Sequence, residues 1–210
     1  MKQKPSFNEE RFLWQQGFSA IAGIDEVGRG AFAGPVVIAA VIFPKQCVFS
    51  DPELHDIHDS KLLTPHKRQR LAEKIKREAL SFSTSEIPVS YINRFGVGKA
   101  AQLGFYKVAT TLSIKPDFFL IDAFWITRLK KSVQKPIIHG DSLSISIAAA
   151  SIIAKVYRDE IMQKIHLTLS DYGFDQNKGY GTKIHQEQLR KLGASQHHRT
   201  SFIVSTLKSY

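Results

Sequence analysis

The clearest hydrophobic pattern lies in residues 21–43, IAGIDEVGRGAFAGPVVIAAVIF. An apolar stretch from Ile21 to Ile24 delivers two acids, Asp25 and Glu26, and Gly28, Gly30 and Gly34 then break the chain. Val36 to Phe43 is unbroken and rich in β-branched residues, as expected of a strand buried on both faces. Strands are therefore predicted over 20–27 and 35–44. Residues 1–18 are polar with scattered aromatics (Phe7, Phe12, Trp14, Phe18) and predict a short helical arm packed on the domain; residues 45–63 are irregular. Thr64-Pro65 is a helix start, an N-cap hydroxyl followed by proline at the first helical position. That helix should run to about Leu80, with Leu71, Ile75 and Ala79 on one apolar face.

Residues 81–89 alternate loosely and predict a strand, 93–96 a turn, and 97–113 a helix with Val97, Ala101, Phe105, Val108 and Leu112 inward. Strands are expected at 118–121, ending in Asp122, and at 135–139, ending in Asp141. The helix over 143–167 begins SISIAAASIIAKV, apolar nearly all round, and should lie buried against the sheet. A loop over 170–181 and a final helix over 183–192 follow, and the tail at Phe202, Ile203 and Val204 is expected to pack into the core. Strands alternating with helices predict an α/β domain. The division expected is an arm over 1–18 and a single domain over 19–210.

Composition narrows the partners. Lysine and arginine number 29 against 19 acids, a net charge of +10, which favours nucleic acid or another anionic surface. Lys67, Arg68, Arg70, Lys74, Lys76 and Arg77 crowd one predicted helix and are candidates to track a phosphate backbone. The single cysteine, Cys47, allows no disulfide within the chain, no apolar run approaches a membrane span, and the first residues lack a signal-peptide core. A cytoplasmic protein is expected.

The glycines invite a rival reading. Gly28, Gly30 and Ala33 fit the letters of a dinucleotide fingerprint, and Asp51 follows at a suitable distance. That motif must open a helix, whereas Gly34-Pro35 leads into a strand and two carboxylates occupy the place of a phosphate. Asp51, Asp56 and Asp59 likewise lack the spacing of a calcium loop. The acids at strand ends carry more weight. Two like charges ~4 Å apart at an effective dielectric of ~20 repel by ~4 kcal/mol, a cost that a cation removes. Three strands ending in Asp25 with Glu26, Asp122 and Asp141 could form an oxygen-ligand site for magnesium or manganese. Two ions roughly 3.5–4 Å apart could clamp the attacking water and leaving oxygen of a phosphodiester. Adjacent strand residues face opposite ways, so Glu26 can join Asp25 only if the backbone turns before Gly28. Residue spacing alone leaves a metal-dependent nuclease or phosphatase.

The chain resembles ribonuclease HII. The segments that carry the resemblance, in order, are Gly23-Ile24-Asp25-Glu26-Val27-Gly28-Arg29-Gly30, Asp59-Ser60-Lys61 before Leu63-Thr64-Pro65, Leu120-Ile121-Asp122, Gly140-Asp141, Ala149 through Asp159, Asn177-Lys178-Gly179-Tyr180-Gly181-Thr182, and His198-Arg199 with Ser201-Phe202. Val27 replaces a usual alanine, and Leu62 stands where a second lysine is often found. The resemblance implies a ribonuclease-H-like mixed sheet flanked by helices, with a helical C-terminal part. It implies hydrolysis of the RNA strand of RNA–DNA hybrids and incision 5′ to single ribonucleotides in duplex DNA, by two Mg2+ or Mn2+ ions, leaving 5′-phosphate and 3′-hydroxyl. The family's four acids fall on Asp25, Glu26, Asp122 and Asp141, and its substrate contacts on Gly28, Arg29, Gly30 and Lys61. Its junction-sensing tyrosine falls on Tyr180, with Tyr172 the second choice. Arg29, and only about twenty residues before the first strand, resemble HII rather than its sister HIII. A monomer is expected, with hybrid or ribonucleotide-containing duplex as partner. A branched-DNA nuclease of the same fold and a non-catalytic binding module are the alternatives.

Overall fold

The computed structural model describes residues 4–45, 52–58, 60 and 63–207. Five strands form one mixed sheet: β1 (Ile21–Val27), β2 (Val36–Ile42), β3 (Ser81–Ile87), β4 (Phe118–Asp122) and β5 (Gln134–Ile137). Their spatial order is β3-β2-β1-β4-β5. β1 to β3 pair antiparallel, and β4 and β5 extend the sheet in parallel from β1. Pro136 is tolerated because β5 is an edge strand, where a missing backbone donor leaves no ladder bond unmade.

The pleat divides the core. Ile21, Val37, Ala39 and Val41 face α5 (Ile145–Thr168), with α1 (Asn8–Gln15) and α2 (Pro65–Glu78) completing that layer. Ala22, Ile24, Ile38, Ala40 and Ile42 face the other way, against α3 (Val89–Phe95) and α4 (Val97–Thr111). Every β2 side chain is fully buried, as an unbroken β-branched run requires of a central strand. α5 approaches β1 at backbone distance: a Cβ on Gly23 would stand 2.1 Å from the carbonyl carbon of Ser146. The small residues at the start of α5 make that approach possible. α1 is anchored by a buried acid: Glu10 Oε1 accepts from the Ser146 amide at 3.0 Å and from the Ser144 and Ser146 hydroxyls. A satellite core of Ala33, Met162, Tyr172, Phe174, Leu189 and Ile203 joins α5 to the C-terminal helices α6 (Phe174–Asn177), α7 (Lys183–Leu192) and α8 (Thr200–Leu207).

Four local expectations change. Residues 93–95 close α3 rather than forming a turn, and Gly96, at φ +84°, makes the break. The 170–181 loop contains a 3-10 turn and α6. The tail from Thr200 is helical, with Ile203 buried and Val204 exposed. β5 ends at Ile137, so Asp141 sits on a separate 3-10 turn, Gly140–Ser142. Among the described residues no helix is long and apolar enough to cross a membrane.

Candidate active site

The four acids arrive by different routes. β1 carries Asp25 on the α5 face, where it is only 5% exposed. The Glu26 amide donates to Asp25 Oδ1 at 2.7 Å, and Ser151 of α5 donates to the same carboxylate. The Ser151 hydroxyl meets the Ser60 hydroxyl at 3.0 Å, so a buried chain of hydroxyls orients the acid. Glu26, on the opposite face by alternation, nevertheless lines the same cleft, and the expected turn between the two acids is not needed: the ladder with β2 runs unbroken through Glu26 and Val27, and the positive φ comes only at Gly28. β4 ends on Asp122, whose Oδ1 accepts from the Gly140 amide at 2.8 Å and so ties the turn bearing Asp141 to the strand end. Ala123 and His139 flank this junction at φ +59° and +56°, left-handed conformations that cost non-glycine residues ~1 kcal/mol or more each.

Asp25, Glu26, Asp122 and Asp141 line one cleft of about 540 Å³ together with Gly28, Arg29, Gly30 and Tyr180. Burial, then Glu26 and Asp122, push the Asp25 carboxyl well above its usual range. Burial pushes Glu26 to about 7 against the opposing pull of Arg29. Glu26 Oε2 is buried with no hydrogen-bond partner. An orphaned carboxylate oxygen among crowded acids is the environment a hard divalent cation relieves. Among the described residues no three such side chains already form a closed ligand set, so an ion here would need further oxygens from solvent or substrate.

The backbone of the glycine segment is held by two buried arginines. Arg158 donates to the carbonyls of Ala33 and Pro35 at 3.0 Å each and of Lys178 at 2.8 Å. Arg199 donates twice to Gly34 O, at 2.9 and 2.8 Å, and to Arg29 O at 3.0 Å. Both are 0% exposed and hold the glycine segment from beneath. A Cβ on Gly28 would stand 2.0 Å from Arg158 Nε, which is why glycine is needed there. Arg29 stays half-exposed, with its guanidinium 3.6 Å from Glu26 Oε1 and 4.1 Å above the Phe124 ring. The two tyrosines separate: Tyr180 is 36% exposed at the cleft, whereas Tyr172 is 6% exposed, stacked on Phe174 and bonded to Gly193 O.

The description "Ribonuclease HII" belongs to the family profile that matches residues 22–205. The chain belongs to the ribonuclease HII family. A ribonuclease HII from Syntrophus aciditrophicus is 45% identical over 199 residues, 95% of this chain and 91% of that one. The crystal structure of ribonuclease H2 from Pyrococcus horikoshii OT3 superposes with a TM-score of 0.69 at 22% identity, covering 90% and 97% of the two chains. Bst-RNase HIII in complex with Mn2+ gives a TM-score of 0.68 at 21% identity, covering 94% and 73%. These structures share the fold expected above. Ribonuclease HII membership makes the chain a nuclease, a ribonuclease H acting on RNA–DNA hybrids.

Lys61 lies outside the described residues, as do Asp51, Asp59 and Cys47. On the basic helix α2 most of the cations have acidic partners. Arg68 is 6% exposed and bonds to Ser60 O and Leu63 O, and its guanidinium pairs with Asp159. Lys67 pairs with Asp56 at 2.8 Å, Arg70 and Lys74 with Glu53, and Lys76 with Glu73. Ser60, Ser151, Arg158 and Arg199 stand in the motifs that carry the resemblance, but patterning gives them no role until their partners, 20 to 170 residues away, are in place. Lys155 also lines the cleft, and it pairs with Asp159 one helical turn on, at 2.6 Å.

Proposed function

We propose that this chain is a metal-dependent endoribonuclease that cleaves the RNA strand of RNA–DNA hybrids and incises 5′ to single ribonucleotides in duplex DNA. The observation that carries the reading is one cleft lined by four carboxylates together with Gly28, Arg29 and Gly30. Asp25, Glu26, Asp122 and Asp141 would hold Mg2+ or Mn2+, which when bound supplies Lewis acidity toward the scissile phosphate. The structure of Bst-RNase HIII with Mn2+ supports a divalent ion.

The chain's own residues do the rest. Ser151 and the Glu26 amide donate to Asp25 and so hold its carboxylate in place at the cleft. Arg29, steadied over Phe124, offers its fork of donors to a phosphate. The glycines at 28 and 30 let a sugar approach the backbone, whose amides and carbonyls can read a 2′-hydroxyl as both donor and acceptor. Tyr180, packed over the Arg158 guanidinium at 5.3 Å, presents a ring to the following sugar. Lys61 would add a phosphate contact.

A labelled DNA duplex with one ribonucleotide tests this. A nick on its 5′ side is expected with Mg2+ or Mn2+, lost in chelator and reduced by at least ~10³-fold in Asp25→Asn, a loss typical of removing electrostatic stabilisation. An equal nick in all-DNA duplex would discard ribose recognition. No nick in either duplex, with tight binding retained, would leave a binding module.

A further inference from the structure

On α2 the cations other than the exposed Arg77 pair with acids among the described residues. The connection from β4 to β5 groups several cations that do not. Between Asp122 and Asp141 the chain carries Arg128, Lys130, Lys131 and Lys135 and no acid at all. Lys135 pairs with Glu9 at 2.6 Å. Arg128, Lys130 and Lys131 are exposed and, among the described residues, make no ion pair with an acid. Trp125 on the same segment is 41% exposed, with Lys131 Nζ 5.6 Å from its ring.

This segment is built rather than loose. Gln134, 3% exposed, accepts from the Ile126 amide at 2.8 Å and donates to the carbonyls of Ile126 and Leu129 at 3.0 Å each. Gln102 of α4 donates to Trp125 O at 2.8 Å and accepts from the Thr127 amide at 2.9 Å. Two side-chain amides thus clamp the backbone while buried Ile126 pins its centre. An aromatic ring and three cations are thus displayed on a backbone that is already ordered, with Arg128 packed over the Tyr106 ring at 5.1 Å, so the segment need not fold on binding. The platform is continuous with the cleft, because Phe124 carries the Arg29 guanidinium on its ring.

We propose that residues 124–131 form a second nucleic-acid contact. Arg128, Lys130 and Lys131 grip the phosphate backbone of the duplex beside the cleft, and Trp125 stacks on an exposed sugar or base. Aromatic faces interleaved with cations are the chemistry that holds nucleic acid without reading its sequence. The inference rests on the reading that the cleft takes a nucleic-acid duplex.

Asp25→Asn protein, which should bind without cutting, is titrated with a short labelled RNA–DNA hybrid in magnesium, followed by anisotropy and tryptophan emission. The chain has two tryptophans, and Trp14 is buried at 5% exposure, so a binding-induced change should come from Trp125 and vanish in Trp125→Phe. Replacing Arg128, Lys130 and Lys131 together by alanine should weaken binding about tenfold at moderate salt and flatten the logarithmic salt slope by about 2 to 3. Binding by anisotropy with a silent Trp125 and an unchanged slope in the triple variant would overturn the platform and leave the cleft reading intact. No binding of any duplex would overturn both.

Discussion

At the scale of single residues, the carboxylates at the head of β1 set a measurable cost. Glu26 titrates near 7 because burial disfavours its charge, with Asp122 adding to that effect. Unfolded, it would titrate near the ordinary 4.5. Between those values the folded chain keeps a proton that the unfolded chain has released, so stability falls as pH rises from about 4.5 through 7. The cost is complete above pH 7 and is about 3 kcal/mol for this group. Glu26→Gln removes it. In chelator the variant and the parent should melt alike at pH 5, and at pH 8 the variant should be higher by roughly 5–10 °C. Added Mg2+ should narrow the gap by stabilising the parent. A gap that is independent of both pH and metal would contradict the crowded-carboxylate account. Tyr180 and Tyr172 show what burial adds at this scale: both are tyrosines in one glycine-rich stretch, and only packing separates the exposed ring from the buried one.

At the scale of elements, α2 is the instructive case. Its start is legible in sequence: Thr64 accepts from the Lys67 amide at 3.3 Å and Pro65 opens the helix. Its apolar face is legible too, in Leu71 and Ile75, both buried. Its electrostatic character is not. Asp56 and Glu53 come from the preceding 3-10 turn and Asp159 from α5, and together they pair with Lys67, Arg68, Arg70 and Lys74. An ion pair presents little net charge to a phosphate a Debye length away. Lys67→Ala with Lys74→Ala should therefore leave the salt slope of duplex binding within about half a unit of the parent, set against about 0.9 for each phosphate that a cation neutralises. A fall of about a full unit or more would restore α2 as a contact surface. The glycine turn after β1 is the opposite case: Gly28 and Gly30 mark it in the sequence, and Gly28 supplies the positive φ that makes it.

At the scale of the whole molecule, the C-terminal helices brace a loop near the N-terminus. Arg199 stands just before α8, yet its guanidinium holds the carbonyls of Gly34 and Arg29. Hydrogen bonds from a charged donor are worth about 1.5–3 kcal/mol each, and lysine cannot reproduce the bidentate fork. Arg199→Lys should lower the melting temperature while the protein still folds. Below that melting point, its preference for a ribonucleotide-containing duplex over all-DNA should drop about tenfold as residues 28–30 loosen. A lower melting temperature with unchanged preference would make Arg199 a stability residue only.

The sequence by itself determined the elements and the inventory of chemistry. Periodicity reports which face of a strand or helix is apolar, and that depends only on neighbours a few positions away. The strands, the long buried helix and the acids Asp25, Glu26 and Asp122 at strand ends were therefore readable, Asp141 on its separate turn was not, and the ordered motifs pointed to the family. Tertiary structure decided what each polar side chain does with its charge. Whether a basic residue is neutralised, like Lys67, buried as a brace, like Arg158, or displayed, like Arg128, depends on partners brought from far along the chain. Charge and burial are properties of an environment, and only the folded sheet with its helices creates that environment.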